Sequence, residues 1–421
     1  MADIDITIES IIQSAFSYSG QKCSAASLIL CDKNIYYKSN FLEKLKEATN
    51  SLQTGLSTNS KNTVIPLIKI PQKKLLHHLT TLDTGESWLV KPKMKKENVW
   101  TPGIKINIQP GDTFQQTELF GPILGIIPIN SLKQGIQLAN NTPYGLTAGL
   151  QSLDNKEHTQ WIKGIECGNC YINQPITGAK VGQQPFGGIK KSKFGLGFKS
   201  GGAHNLIGFK KYAKKKPELN SKSISPKLNT IHLFCKEFFK STFDNPQWES
   251  SLKNYTSWIN YFKSNHHLYA TIGYKNNLIF TPKIKIGLFI SEKTSFLDWG
   301  RIISIFILSN ENIQLYVTDS IFTKNLQTFL KQHQNIQLSV TTNKDILNYI
   351  TKGFINHIRL LEKKSEKTHQ KSLQAHCSII NQKVSSHGFY EIAHYYNEKT
   401  ISQVIHRYGN IDQTSPNIPE D

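Results

Sequence analysis

Cysteine and long apolar runs are both scarce in this chain, and each shortage argues against one class of protein. Only six of the 421 residues are cysteine. That is too few for a disulfide scaffold at this size, so we expect a reducing compartment and, by default, the cytoplasm. No stretch approaches the roughly 18 uninterrupted apolar residues of a membrane-spanning helix, and the acidic residues 1–5 lack the basic region of an export signal. The sequence therefore predicts neither a membrane span nor an export signal.

Acidic residues are scarce as well. The chain has 30 Asp and Glu against 50 Lys and Arg, which gives a net charge of +20. A field of this sign attracts anions, nucleic acid among them. The excess is mostly lysine, and the simpler interpretation is that it is spread over all solvated faces. Because arginines are few, bidentate readout of bases is poorly supported, and nucleic acid is not the expected partner.

The order of predicted elements indicates an open α/β sheet. The chain is 38% hydrophobic, which is enough for a substantial core, and its length suggests two or three domains. Strand-like and helix-like patterns alternate along the first part of the chain. They are helix 3–15, strands 28–30 and 35–37, helix 40–52, strand 125–129, helix 131–140 and strand 146–150.

A basic, polar segment divides the chain into two domains. Residues 210–227 are rich in lysine and poor in large apolar side chains, which is typical of a linker. We therefore expect a first domain over 1–209 and a smaller α/β domain over 228–421. The second domain is predicted to contain strands 278–280, 284–290, 313–317, 336–340 and 355–361 and helix 321–330.

The residue with the clearest chemical potential is Cys23. It stands in residues 20–24 (Gly-Gln-Lys-Cys-Ser), where a glycine permits a tight turn and a thiolate could attack a carbonyl. Taken alone, a cysteine is more commonly a small buried hydrophobe. The pair Cys167 and Cys170 has redox or zinc spacing, but no second Cys or His pair stands at ligand spacing, so no metal site is expected.

Four further motifs follow Cys23 in order. They occupy residues 118–122 (Glu-Leu-Phe-Gly-Pro), 140–149 (Asn-Asn-Thr-Pro-Tyr-Gly-Leu-Thr-Ala-Gly), 168–179 (Gly-Asn-Cys-Tyr-Ile-Asn-Gln-Pro-Ile-Thr-Gly-Ala) and 183–188 (Gln-Gln-Pro-Phe-Gly-Gly). Together with residues 20–24 they resemble the aldehyde dehydrogenase superfamily. Within it they look like the glutamate semialdehyde dehydrogenases of proline catabolism, also called 1-pyrroline-5-carboxylate dehydrogenases. The resemblance implies an oxidoreductase with an open αβα catalytic domain.

The resemblance also assigns roles around the nucleophile. It implies that Cys23 forms a thiohemiacetal and then a thioester with the aldehyde, and that NAD accepts the hydride. Glu118 matches the residue that holds the nicotinamide ribose, and Phe120 the residue that packs on the nicotinamide ring. Without the motif, Glu118 would be a surface carboxylate and Phe120 a core aromatic.

A second set of positions matches the family's substrate site. By resemblance, Ser24 and the backbone N–H groups of Gly178 and Ala179 would hold the substrate α-carboxylate, while Phe186 would press on its aliphatic stem. Small residues with free amides suit an anion. Three positions depart from the family pattern, since Lys193 stands where a glycine is expected, Gln174 where an arginine is usual and Ala203 where a proline is expected.

Residues 273–276 and 406–410 resemble the C-terminal region of bifunctional proline dehydrogenase and semialdehyde dehydrogenase proteins. Because Cys23 stands close to Met1, we expect the chain to lack most of the N-terminal NAD-binding domain and to be inactive alone. A separately encoded N-terminal part with proline dehydrogenase is an expected partner, and a homo-oligomer is compatible. The alternatives are another aldehyde as substrate, or a non-catalytic basic scaffold or nucleic-acid-binding remnant.

Overall fold

The computed structural model describes two compact units. The first unit comprises Met1–Ser192, His267–Asn277 and Thr400–Glu420, and the second comprises Lys193–His266 and Leu278–Lys399 with Asp421. The described residues are 2–193, 195, 198–209, 223–238, 245–283, 285–289, 294–318, 321–361, 366–407 and 410–411.

The division between the units differs from the predicted domain bounds of 209 and 228. It falls after Ser192, and two later segments return to the first unit because their strands join its sheet. Residues 210–222 of the predicted linker lie outside the described residues, and its end forms a short 3-10 helix, Pro226–Leu228.

Helices and strands are interspersed along the whole chain. The helices are α1 Ile4–Phe16, α2 Lys33–Lys38, α3 Phe41–Asn50, α4 Lys73–Thr80, α5 Thr113–Gln116, α6 Leu132–Asn140, α7 Asn155–Gly164, α8 Asn229–Phe238, α9 Asn245–Lys263, α10 Phe296–Ser309, α11 Ile321–Leu330, α12 Asn343–Thr351, α13 Glu366–Gln374 and α14 Gly388–Ala393. The strands are β1 Leu28–Asp32, β2 Ser87–Val90, β3 Met94–Lys96, β4 Val99–Trp100, β5 Gly103–Ile106, β6 Ile123–Ile129, β7 Thr147–Leu150, β8 Asn169–Ile172, β9 His266–Leu268, β10 Tyr274–Pro282, β11 Lys285–Phe289, β12 Ile313–Thr318, β13 Ile336–Thr341, β14 His357–Leu360, β15 Ser378–Ile380, β16 Tyr396–Val404, β17 His406–Arg407 and β18 Asn410–Ile411.

The first sheet of the first unit has the order β1-β6-β5-β2. Strands β1 and β5 run parallel to β6, and β2 pairs antiparallel with β5 at the edge. Helices α1 and α3 pack together beside this sheet and bury Phe16, Phe41 and Leu45 in one core with Leu124 and Ile126 of β6. Because the apolar side chains of α1 recur at helical spacing, one face of the helix is buried.

The second sheet of this unit is built around β8. Strand β7 pairs parallel with one edge of β8, and residues Thr400–Gln403 of β16 pair parallel with the other. The motif 168–179 begins in β8 and continues into the segment that follows it, which also carries the motif 183–188, so this pairing fixes where that segment begins.

One predicted strand is wrong. Residues 35–37 belong to helix α2, although Ile-Tyr-Tyr favours a strand. The cause is the preceding Asp32, whose carboxylate accepts the N–H of Asn34 at 2.8 Å and so caps a helix. The helix buries Tyr36 and leaves Tyr37 exposed. The other predicted elements of the first domain are confirmed, with Ser131 capping α6.

The second unit holds a five-stranded parallel sheet of order β13-β12-β11-β14-β15. Helices α10, α11, α12 and α13 connect successive strands, as parallel pairing requires. Helix α10 is buried along most of its length, with Trp299, Ile302 and Ile303 at most 1% exposed. The predicted strands and helix 321–330 of the second domain are confirmed, except that Ile284 and Ile290 lie outside the described residues.

No helix in the part of the chain that the structure describes is both long enough and apolar enough to cross a membrane.

Candidate functional site

The loop before Cys23 has an unusual backbone. Tyr18, Ser19 and Gly20 all adopt positive φ angles, of 54°, 58° and 68°. This conformation is unfavourable for the two residues that carry a Cβ, so it needs support from its surroundings. The hydroxyl of buried Ser19 provides that support, because it accepts the N–H of Ile65 at 2.8 Å and donates to the Ile65 carbonyl at 2.5 Å.

Cys23 lies in a hydrogen-bonded turn and is exposed to solvent. The N–H of Ala25 donates to the carbonyl of Lys22 at 3.0 Å, which holds Cys23 and Ser24 in the turn. Cys23 is exposed, whereas the other five cysteines, all within the described residues, are buried. Ser24 is buried beside it. The thiol of Cys23 is therefore accessible and comes from a fixed backbone.

The nucleophile loop packs directly against the motif 118–122. A Cβ placed on Gly20 would stand 2.2 Å from the carbonyl oxygen of Gly121, and one on Gly121 would stand 2.5 Å from Leu75 of α4. Glu118 is exposed, and Phe120 is 43% exposed with a φ of 55°. Phe120 is thus not a core aromatic, and it directly precedes the glycine that contacts the nucleophile loop.

The loop that carries Gly178 and Ala179 is fixed at its start by helix α1. The hydroxyl of Ser14 accepts the N–H of Ile176 at 3.0 Å. Gly178 is exposed, and a Cβ added there would meet no atom within 4 Å, so space is open beside the backbone of this loop.

Ser402 of β16 ties both ends of the same loop. Its hydroxyl accepts from Gln174 Nε2 at 3.0 Å and from Gln184 Nε2 at 2.9 Å. Gln174 stands where the family pattern has an arginine, and its amide bonds a buried hydroxyl. Residues 174–184 therefore form a loop whose two ends share one anchor.

Phe186 is held by the strand below it. The carboxamide of Asn169, buried in β8, donates from Nδ2 to the carbonyl of Pro185 at 3.1 Å and accepts the N–H of Gly187 at 3.1 Å. The two bonded residues flank Phe186, so Asn169 fixes the backbone on both sides of the ring.

The cysteine pair lies at the start of the same strand, with Cys167 two residues before β8 and Cys170 within it. The Sγ atoms of Cys167 and Cys170 are 3.4 Å apart, and Cys167 also donates to the Asn169 carbonyl. Both thiols are buried and neither is in a disulfide.

One group in the described residues has the composition of a metal site. His77, His78 and Asp83 place ligand atoms within 4.8 Å of one another and line a cavity of about 710 Å³. Lys105 Nζ lies 3.3 Å from His78 Nδ1 and 2.6 Å from a carboxylate oxygen of buried Glu86. An ammonium only donates, so Nδ1 of His78 accepts and the ring proton belongs on Nε2. This arrangement favours a hydrogen-bonded network over metal ligation.

The same contacts account for the direction in which the pKa values of His78 and Asp83 are shifted. Burial, followed by the charge of Lys105, lowers the pKa of His78, which keeps the imidazole neutral. The hydrogen bond from His77 lowers the pKa of Asp83, which keeps this carboxylate charged.

Sequence reasoning missed Ser14, Ser19 and Asn169, each of which positions a segment of the site. Their shared property is burial of a polar side chain, with exposed fractions of 4%, 0% and 1%. A buried hydroxyl or amide must be hydrogen-bonded, so a serine on the apolar face of α1 is a signal for a structural contact.

The chain is similar to known proteins at two levels: its first half by sequence, and nearly its whole length by structure. The sequence profile of the aldehyde dehydrogenase family matches residues 1–214. The 1-pyrroline-5-carboxylate dehydrogenase of Staphylococcus aureus (strain JH1) is 35% identical over 213 residues, which are 49% of this chain and 40% of that protein. The structure of proline utilization A (PutA) from Corynebacterium freiburgense is 28% identical, with a TM-score of 0.77, and the match covers 97% of this chain and 38% of that one. The chain thus spans well under half the length of both proteins.

Proposed function

The chain belongs to the aldehyde dehydrogenase family, and from this premise we propose that it carries the nucleophile and the substrate-carboxylate site of an enzyme that oxidises L-glutamate γ-semialdehyde to glutamate. The observation that carries the proposal is the exposure of Cys23 on a fixed loop, packed through Gly20 against Gly121. The name of the Staphylococcus aureus relative, 1-pyrroline-5-carboxylate dehydrogenase, supports the choice of aldehyde and a place in proline catabolism.

In the proposed reaction the Cys23 thiolate attacks the aldehyde carbon, and a sulfur–carbon bond forms. The carbonyl oxygen becomes an oxyanion, for which the Cys23 N–H is one donor. Loss of hydride from the same carbon restores the carbonyl and leaves a thioester on Cys23. Water then attacks the thioester carbon and gives up its protons to the solvent, the carbon–sulfur bond breaks, and glutamate is released as Cys23 returns to the thiolate.

The proposed hydride acceptor is a nicotinamide cofactor, and NAD in particular. Bound there, NAD would supply the acceptor for the hydride that leaves the Cys23-bound carbon. Glu118 would accept hydrogen bonds from the hydroxyls of the nicotinamide ribose, and the ring of Phe120 would contact the nicotinamide. Both side chains fit this role because both are exposed in the segment that packs on the nucleophile loop.

The substrate α-carboxylate is proposed to bind Ser24 and the backbone N–H groups of Gly178 and Ala179. Two amides and a hydroxyl suit an anion, and the space beside Gly178 is open. Phe186, held on both sides by Asn169, would contact the aliphatic carbons between the carboxylate and the aldehyde.

The complete reaction is proposed to need more protein than these 421 residues. Because the chain spans 40% of the Staphylococcus aureus relative and 38% of proline utilization A, we propose that it binds and traps the aldehyde alone but completes the oxidation only with a second part that binds NAD. We propose that a proline dehydrogenase accompanies this second part, which the name of the structural neighbour, proline utilization A, supports. Six cysteines, all described and none in a disulfide, fit a reducing compartment such as the cytoplasm.

The proposal is tested by the selectivity with which Cys23 is alkylated. The full chain is treated with the vinyl ketone 4-oxo-5-hexenoate or with its methyl ester, and adducts are located by mass spectrometry. We expect Cys23 to react faster with the carboxylate than with the ester, and L-glutamate to slow the reaction. Equal rates for the two probes would contradict the proposal.

Matched variants identify the source of the selectivity. Cys23→Ser should lose the adduct, since the other five thiols are buried. Gly178→Pro removes one N–H donor and should lower the preference for the carboxylate. Gly178→Ala keeps that donor and meets no atom within 4 Å, so it should retain the preference.

A further inference from the structure

Ser14 contacts the two segments that the proposed reaction must bring together. It lies in the last turn of α1 and is 4% exposed. Its hydroxyl accepts the N–H of Ile176 at 3.0 Å, and its backbone carbonyl accepts the N–H of Ala26 at 3.0 Å. Ala26 lies three residues after Cys23, and Ile176 lies two residues before Gly178.

The position of Ser14 near the end of its helix makes both contacts available. The last carbonyls of a helix have no intrahelical partner, so the Ser14 carbonyl can accept a bond from another segment. A serine inside a helix often turns its hydroxyl back to the carbonyl four residues earlier. In this helix the hydroxyl instead accepts an amide 162 residues away, from a loop of the second sheet of the same unit.

We propose that Ser14 is a positioning residue that sets the separation between the Cys23 thiol and the carboxylate-binding amides of Gly178 and Ala179. This inference rests on the proposed function, which assigns the carboxylate to those amides. One residue of α1 thereby determines which length of aliphatic stem can reach both the nucleophile and the amides. Loss of the hydroxyl leaves the Ile176 N–H without its acceptor, and the loop is free to move relative to Cys23.

The chain supplies a matched control on the same helix. Ser10 lies one turn earlier and is 5% exposed, so Ser10→Ala removes the same atom from an equally buried position. Ser14→Ala removes the acceptor, and Ser14→Thr restores a hydroxyl. Circular dichroism first verifies that each full-length variant is folded. Hydrogen exchange and Cys23 alkylation are then measured.

The first measurement is amide hydrogen exchange. Ser14→Ala should speed exchange in the peptide that contains Ile176, and Ser10→Ala should not. If exchange at Ile176 is unchanged in Ser14→Ala, the contact does not hold the loop and the inference is overturned.

The second measurement is the ratio of Cys23 alkylation rates with 4-oxo-5-hexenoate and its methyl ester. In Ser14→Ala this ratio should fall about fivefold to tenfold, the size expected for one lost hydrogen bond. The rate with the ester should stay the same, and Ser14→Thr should regain the ratio. A normal ratio in Ser14→Ala, with a clear preference in the wild type, would overturn the positioning role alone. A wild-type ratio near one would instead overturn the proposed function, and this inference with it.

Discussion

Gly20 lies so close to Gly121 that a Cβ on Gly20 would stand 2.2 Å from the Gly121 carbonyl oxygen. This contact joins the loop of the proposed nucleophile to the segment of Glu118 and Phe120. Carbon and oxygen atoms that are not bonded do not approach this closely, so only glycine fits at position 20 with the backbone as it is. The φ of Gly20, 68°, adds a second reason for glycine.

Gly20→Ala is therefore expected to lower the free energy of unfolding by about 2–5 kcal/mol, from a strained backbone and an overpacked contact together. Gly182→Ala is the matched control, because Gly182 has a φ of 77° but open space around it. It should show only the backbone cost, about 1–2 kcal/mol. Urea unfolding measures both. An equal loss in the two variants would mean that the contact with Gly121 is not tight.

Asn169→Ala should loosen the segment around Phe186. The variant removes the partner of the Gly187 N–H and the Pro185 carbonyl, and we expect a loss of about 1–3 kcal/mol in stability. Hydrogen exchange of the peptide that contains Gly187 should become faster.

The control for this prediction is a second carboxamide with the same geometry. Asn140 donates to the carbonyl of Gly164 at 2.8 Å and accepts the N–H of Glu166 at 2.8 Å. Asn140→Ala should cost a similar free energy but leave exchange at Gly187 unchanged. Faster exchange at Gly187 in both variants would point to general loosening rather than to a specific hold on Phe186.

The elements that sequence patterns predicted correctly are those with local causes. Helix α6 combines helical spacing with the capping Ser131, and α11 has apolar residues at helical spacing. The wrong strand at 35–37 also has a local cause, since one capping bond to Asp32 outweighs the strand preference of Ile-Tyr-Tyr.

The parts of the site that sequence patterns could not predict depend on distant partners. Ser14 and Ile176 are 162 positions apart, and Gln174 and Ser402 are 228 positions apart. The resemblance of the motifs to the family indicated the loops of the proposed site residues Cys23, Glu118 and Gly178. It gave no information on the buried polar side chains that hold those loops, because their partners are determined only by the folded chain.

The stability of the second unit should depend on pH through Lys283. Its side chain is buried and donates to the His394 carbonyl at 2.9 Å. Burial, followed by repulsion from Lys193, holds the pKa of Lys283 well below its usual value, while Glu398 opposes this shift. The pKa of Lys193 is itself lowered to about 8, mainly by burial. The folded chain therefore releases protons that the unfolded chain keeps.

The sign follows from this difference in bound protons. Where the unfolded state binds more protons, the free energy of unfolding rises with pH. For Lys283 this window extends from its lowered folded pKa up to about 10.4, the ordinary value for lysine. We expect the urea midpoint to rise between about pH 8, the lowered pKa of Lys193, and about pH 10.4, with one such group contributing about 1.4 kcal/mol per pH unit. Lys283→Met should flatten this rise, and an unchanged slope would contradict the assignment.

The chain alone should not oxidise an aldehyde with NAD as the hydride acceptor. Positioning of the cofactor against the reacting carbon can account for roughly 7–11 kcal/mol of a barrier, and we propose that a further part of the enzyme provides it. The purified chain with NAD and L-glutamate γ-semialdehyde should produce no NADH above the level of Cys23→Ser. Steady NADH formation that requires Cys23 would show that these 421 residues suffice.

The most direct test of the central claim is whether the semialdehyde itself reaches Cys23. The rate of Cys23 alkylation by iodoacetamide is measured in the full chain, with L-glutamate γ-semialdehyde or with butanal at the same concentration. We expect the semialdehyde to protect Cys23 strongly through a reversible thiohemiacetal, and butanal, which has no carboxylate, to protect it far less. Equal protection by the two aldehydes, or none by either, would contradict the account.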